Sequence, residues 1–213
     1  MFDDFLRQRA AAKKEPFQPF DIDTDYKRYV DGKLRYEGVR SFLASRDIAL
    51  AEGTPEDSPT TDTVCGLGNR KDELVKAEID QGKVEAYSGS VELVRRIREQ
   101  GIRTGVVSSS NNCEQVLRAA GIVDLFEVRV DGLVASKLGL PGKPAPDTFL
   151  EAARILGVSP VRAVVVEDAL AGVQAGRAGG FGLVVGVDRE GSGDALRTAG
   201  AEVVVTDLAE LLN

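Results

Sequence analysis

The sequence predicts an α/β protein of the Rossmann-like, three-layer kind, with a parallel sheet in its second half and a small helical unit ahead of it. Three observations make this prediction. After residue 84, short β-branched runs alternate with amphipathic stretches, the pattern that buried parallel strands and their crossover helices produce. Most of those stretches close on glycine, the residue that best ends a helix in the left-handed conformation. Before residue 84 the pattern is helical or amphipathic, with no convincing buried strand. Residues 1–83 and 84–213 are accordingly read as two domains, hinged near "DQGKVEAYSGS" (80–90).

In chain order, "MFDDFLRQRAAAKK" (1–14), "VRSFLASRDI" (39–48) and "NRKDELVKAEIDQG" (69–82) read as helices, and "AEGTPEDSPTTDT" (51–63) as a polar loop. Four runs read as strands: "IRTGVVSSS" (102–110), "AVVVEDA" (163–169), "FGLVVGV" (181–187) and "AEVVVTD" (201–207). Helical stretches end on Gly101, Gly121, Gly157 and the pair Gly179–Gly180.

Composition excludes several function classes. Net charge is −7 and the isoelectric point about 4.9, so nothing points to a nucleic-acid surface, where clustered Lys and Arg would neutralise phosphates. No apolar run approaches the ~20 residues of a membrane helix, and the N-terminus lacks an apolar leader segment, so no membrane partner is expected and the location expected is cytoplasmic. Cys65 and Cys113 stand far apart without a CxxC pattern, which argues against a zinc site and a disulfide framework; a single bridge between them is left open, and two reduced thiols are expected. There is no histidine at all. Imidazole acid/base chemistry is therefore absent, and catalysis has to rest on carboxylates, lysine, hydroxyls and a hard metal ion.

In open α/β sheets, ligands bind beyond the carboxyl ends of the strands, and three polar groups fall there. Ser108, with Ser109, Ser110, Asn111 and Asn112, follows "GVV" and opens a helix. Hydroxyls and free N–H groups at such a place suit a phosphate, although the same residues also make ordinary helix caps. Lys143 is held between Gly142 and Pro144 as a fixed point charge, or else is a solvated loop lysine before a helix capped by Asp147. Glu167 and Asp168 follow an apolar strand; two adjacent carboxylates there favour a compensating Mg²⁺, with Asp168 as a helix cap the alternative.

Hydroxyl, lysine and acidic pair, in this order, resemble motifs two, three and four of the haloacid dehalogenase-like superfamily. The longer strings "VVSSSNN" (106–112), "GKPAPDTFLEAARILGV" (142–158) and "VVVEDALAGVQAGRAGGFGLVVGV" (164–187) resemble its β-phosphoglucomutase-like branch, which includes sugar-phosphate phosphatases. The resemblance implies Mg²⁺-dependent phosphoryl transfer through an aspartyl-phosphate, with a second aspartate as general acid/base. It assigns Ser108 to the phosphoryl group, Lys143 to charge neutralisation, and Glu167 and Asp168 to the metal, with Ser110 and Asn112 on the phosphate side. It also implies a helical cap over the core. "YVDGKLRYEGV" (29–39) resembles the cap's sugar-phosphate loop and nominates Arg35, and "GNRKDELV" (68–75) nominates Lys71; both would otherwise be exposed helix charges. The expected partner is a small phosphorylated sugar, bound by a monomer when the full core is present.

The family's nucleophile sits in a D-x-D loop directly after a buried strand. Asp21 and Asp23 form such a pair in the right half, but Pro16 and Pro19 precede them, along with Lys13, Lys14 and Glu15. Prolines remove ladder donors and charge is unwelcome between two buried faces, so this is no central strand. The fifth motif position holds Asp25, and no glycine follows Asp23. In the better register, residues 1–14 open the cap and "PFDIDTDY" (19–26) is a polar cap loop. The first core strand and the nucleophile are then expected ahead of Met1, the remaining strands should flank a gap with unpaired edges, and the chain as given is expected to be inactive.

Overall fold

The structure is a computed structural model and describes residues 1–189 and 191–212. Their contacts define two compact units, Met1–Asp31 with Tyr36–Ala77, and Gly32–Arg35 with Glu78–Asn213. The division lies a few residues ahead of the boundary expected from the sequence pattern, and the short loop Gly32–Arg35 groups with the second unit.

The first unit is helical. Helix α1 (Phe2–Lys13) buries Phe2, Phe5 and Leu6, which its 3.6-residue period places on one face. They pack with Val39, Phe42 and Leu43 of α2 (Arg35–Ser45), and with Val64 and Leu67 of α3 (Val64–Asp80). Phe2 and Phe42 lie 4.5 Å apart between ring centroids, and Phe20 lies 5.0 Å from each. The segment expected to be a polar loop is instead wound into a wide π-helical stretch, Ile22–Val30. Asp21 caps it, accepting the N–H and hydroxyl of Thr24 at 2.7 and 2.9 Å. Asp25, only 5% exposed, is buried in an ion pair with Arg46.

The second unit alternates helix and strand: α4 (Ser88–Glu99), β1 (Gly105–Val107), α5 (Cys113–Ala119), β2 (Val128–Val130), α6 (Gly132–Leu138), α7 (Asp147–Leu156), β3 (Val164–Glu167), α8 (Leu170–Ala178), β4 (Leu183–Val187), α9 (Gly193–Ala199) and β5 (Val203–Val205). The four predicted strands are present. Strand β2 and helices α6 and α9 escape the sequence reading; Glu127 and Arg129 break the apolar run around β2, whereas the equally short β1 and β5 lie in unbroken valine runs. In β2 the burial of Val128 and Val130 around a half-buried Arg129 emerges only from packing. Gly157, at φ +66°, ends α7 as the sequence pattern requires.

All pairings are parallel, yet the strands form two pieces rather than one sheet: β1 with β2, and β3–β4–β5. Phe149 of α7, Val165, Val173, Val184 and Leu196 make one core, while Val128, Val130 and Ala152 make another. No helix among the described residues is long and apolar enough to cross a membrane.

Candidate active site

The site is built at the carboxyl ends of β1 and β3. Beyond β1 the chain folds on its own hydroxyls: Ser108 Oγ accepts the Ser110 N–H, and Ser110 Oγ accepts the Asn112 N–H, both at 3.1 Å. These short loops turn the chain into α5 and leave Asn112 buried at its N-cap. Gly132 fits beneath them, since a Cβ there would meet Asn111 Oδ1 at 2.3 Å.

Lys143 and Glu167 come from segments 24 residues apart and form an ion pair whose side chains are 4% and 9% exposed. The ammonium also lies 4.7 Å from the centre of the Phe149 ring, a cation–π contact. The other oxygen of Glu167 accepts the Ala169 N–H at 3.3 Å. This settles the alternatives for Lys143: it is buried and paired, not a solvated loop residue. Neither expected acidic cap forms. The N-cap of α7 is Pro146 with Asp147 inside the helix, and that of α8 is Ala169. Asp168 is exposed and has no hydrogen bond or ion pair among the described residues.

Gly172, which sequence reasoning did not single out, makes room for this pair. A Cβ on it would sit 2.2 Å from the Glu167 carboxyl carbon and 2.4 and 2.5 Å from its oxygens. The carboxylate would have to move, and it is held by its buried pair with Lys143. Gly172→Ala is therefore expected to cost about 1–3 kcal/mol in urea titration, and a loss under about 0.5 kcal/mol, the range of an indifferent surface change, would mean that the pair is free to move. The available sequence signal was a glycine five residues after Glu167, among small residues.

The loop Gly32–Arg35 also reaches this end of the unit. Ser109 Oγ donates to the Gly32 carbonyl at 2.6 Å, and a Cβ on Gly32 would lie 2.9 Å from that of Ala169. Gly32 has φ +70°, so glycine is favoured there on both counts. Arg35 begins α2 and groups with this unit. Lys71 belongs to the helical unit, where its ammonium lies 5.9 Å from the Tyr26 ring centre. Asp21 and Asp23 follow no strand.

No three His, Cys, Asp or Glu side chains converge as a metal cluster among the described residues. The donors present nevertheless fit Mg²⁺, which takes hard oxygens and commonly uses one or two carboxylates, with waters and substrate phosphate completing the shell. Glu167 and Asp168 are such donors. Burial pushes the thiols of Cys65 and Cys113 up, aided by Glu52 at the first and Asp131 at the second, so both are suited to packing rather than nucleophilic work.

A family model described as haloacid dehalogenase-like hydrolase matches residues 2–180. The β-phosphoglucomutase of Mycobacterium bovis is 47% identical over 215 residues, covering 100% of this chain and 82% of that protein. The trehalose-phosphate phosphatase of Mycobacterium leprae is 41% identical over 127 residues, 58% of this chain and 28% of that one. The crystal structure of β-phosphoglucomutase from Clostridium difficile matches with a TM-score of 0.71 at 24% identity, covering 99% of this chain and 85% of that one, a likeness of fold.

Proposed function

Starting from the chain's membership of the haloacid dehalogenase-like hydrolase family, we propose that its lineage is phosphoryl transfer on a small phosphorylated sugar, of the β-phosphoglucomutase kind, in the cytoplasm. The observation that carries this reading is the buried Lys143–Glu167 pair at the end of β3, in the same unit as the hydroxyl-lined turn after β1. The relative at 47% identity supports the mutase over other substrate classes.

In this reading the Ser108–Ser110 turn holds the phosphoryl oxygens, with Asn112 fixing the turn from its buried cap position. Lys143 offsets the charge that spreads over the transferred group. Its attachment to Glu167 keeps the ammonium from wandering, so the charge is in place before the substrate arrives. Glu167 and Asp168 hold Mg²⁺, which supplies further charge compensation when bound. Arg35 and Lys71 are assigned to the sugar and its distal phosphate. The acidic surface disfavours nucleic acid and anionic membranes alike.

In this reading neither Asp21 nor Asp23 is the reactive carboxylate. Asp21 is tied up as a cap by Thr24, whose hydrogen bonds hold its carboxyl below the usual range, and Asp23 pairs with Lys27 at 2.7 Å. Neither stands at a strand end, so we read this chain as inactive as given. A second reading, hydrolysis of a sugar phosphate, is favoured by the likeness to a trehalose-phosphate phosphatase.

Turnover of β-glucose 1-phosphate with Mg²⁺, followed by phosphorus NMR, tests this. The chain as it stands is expected to give background signal. Fusing an apolar strand and a D-x-D loop ahead of it should raise the rate by at least about 10³-fold. Phosphate moved within the sugar identifies a mutase, and free phosphate a phosphatase. Full activity of the unextended chain, abolished by Asp21→Asn, would overturn the reading.

A further inference from the structure

The Lys143 ammonium has a second neighbour besides Glu167. A turn closed by the Ala145 N–H on the Gly142 carbonyl at 3.0 Å folds the chain back between Lys143 and α7. Phe149, in the first turn of that helix, brings its ring centre within 4.7 Å of the ammonium. Both residues are buried, Lys143 at 4% and Phe149 at 7% exposure.

The ring is itself held. Phe181, at the entry to β4, meets it edge to face, with centroids 6.0 Å apart and planes at 70°. Gly179 leaves Phe181 its place: a Cβ there would lie 2.7 Å from Phe181 Cε2 and 3.2 Å from the Cβ of Pro146, the N-cap of α7. The φ of Gly179, −77°, is open to any residue, so what this glycine supplies is room. Val165, Val173 and Val184 pack in the same cluster as Phe149.

An ion pair alone is an insecure hold for this lysine. Glu167 is also a carboxylate assigned to Mg²⁺, and charge that it shares with a metal ion is charge withdrawn from Lys143. A ring face attracts an ammonium through its quadrupole, more strongly where water is excluded. Being uncharged, it does not cancel the charge that a phosphoryl group needs. Leucine would fill a comparable space without such a face.

We propose that Phe149, braced by Phe181, is a positioning residue whose ring face fixes the Lys143 ammonium at the site independently of Glu167. The inference deepens the proposed function and rests on it for the ammonium's target, the phosphoryl group.

Replacing Phe149 in the 213-residue chain by phenylalanines carrying one, two and three ring fluorines weakens the ring face in steps and nearly keeps its shape. Acetic anhydride labelling, read lysine by lysine by mass spectrometry, reports how firmly Lys143 is held. Its labelling rate is expected to climb with each fluorine, to about tenfold for the trifluorinated ring, while the other lysines stay unchanged. Phe149→Leu should reach at least the same rate. Val165→Ala, which loosens the same apolar cluster without altering the ring, should leave Lys143 as protected as in the native chain. Inorganic phosphate, titrated in the presence of Mg²⁺ and followed by phosphorus NMR, should bind the native chain and bind Phe149→Leu about tenfold more weakly. A labelling rate that is flat across the fluorine series, or raised equally by Val165→Ala, overturns the inference and leaves the proposed function standing. Phosphate binding that is lost in Lys143→Met but unchanged in Phe149→Leu overturns it too. A fluorine-dependent rate with phosphate binding indifferent to Lys143→Met keeps Phe149 as the holder of the ammonium and overturns the proposed function.

Discussion

Replacing Lys143 by alanine is expected to destabilise the α/β unit by about 3–5 kcal/mol, the cost of leaving a buried charge without its partner. Lys143 and Glu167 are 4% and 9% exposed at the side chain, so the stranded carboxylate would have little water to fall back on. The loss includes the ammonium's contact with Phe149. Removing both charges gives the opposite outcome: Lys143→Met with Glu167→Leu should recover most of the stability, since two apolar residues need no partner. Urea denaturation of the three proteins measures both effects. A single-variant loss under about 1 kcal/mol, as exposed pairs give, would show that the pair is open to solvent. Conservation of stability in the double variant would also show that the pair serves the site rather than the fold.

Arg46→Met should destabilise the helical unit by a comparable amount, about 3–5 kcal/mol. Burial alone pushes the Asp25 carboxyl up, but hydrogen bonds from Arg46 and the Asp21 N–H outweigh it and hold the carboxyl below its ordinary value. A carboxylate with a lowered folded-state pKa contributes stability at pH values above its unfolded pKa of about 3.9, and loses it as pH falls through the folded value. At neutral pH the native pair is therefore fully stabilising. Without Arg46 the burial effect is left with less opposition, so Asp25 takes up a proton more readily. The stability gap between native and variant proteins should be widest near neutrality and narrow as acid is added below about pH 4. Thermal unfolding across that range checks the sign, and a gap that widens in acid would contradict it.

Most of the fold was legible in the sequence wherever an element shows a helical period or an unbroken β-branched run. Helix α7 reads from "DTFLEAARIL" and its closing glycine, and β4 from "LVVGV". The short β2 was not legible because Glu127 and Arg129 interrupt its apolar run, while the equally short β1 and β5 are unbroken. "PFDIDTDY" shows the same limit from another side. Its prolines and charges exclude a buried strand, but whether the remainder loops or winds depends on Asp21 capping Thr24 and on Arg46, just past the end of α2, pairing with Asp25.

The sequence by itself determined the family, the order of the core elements and the chemical types at the strand ends, because these depend on local pattern and residue identity. It also excluded the D-x-D of Asp21 and Asp23 as a strand-borne nucleophile. Only the tertiary structure decided that Lys143 grips Glu167, that Gly172 clears space for that carboxylate, and that Gly32 reaches the ends of β1 and β3. It alone set Phe181 against the Phe149 ring beside the Lys143 ammonium. Each of these joins residues distant in the chain, and long-range contacts are fixed by packing, hydrogen bonding and the exclusion of water rather than by any local run of residues.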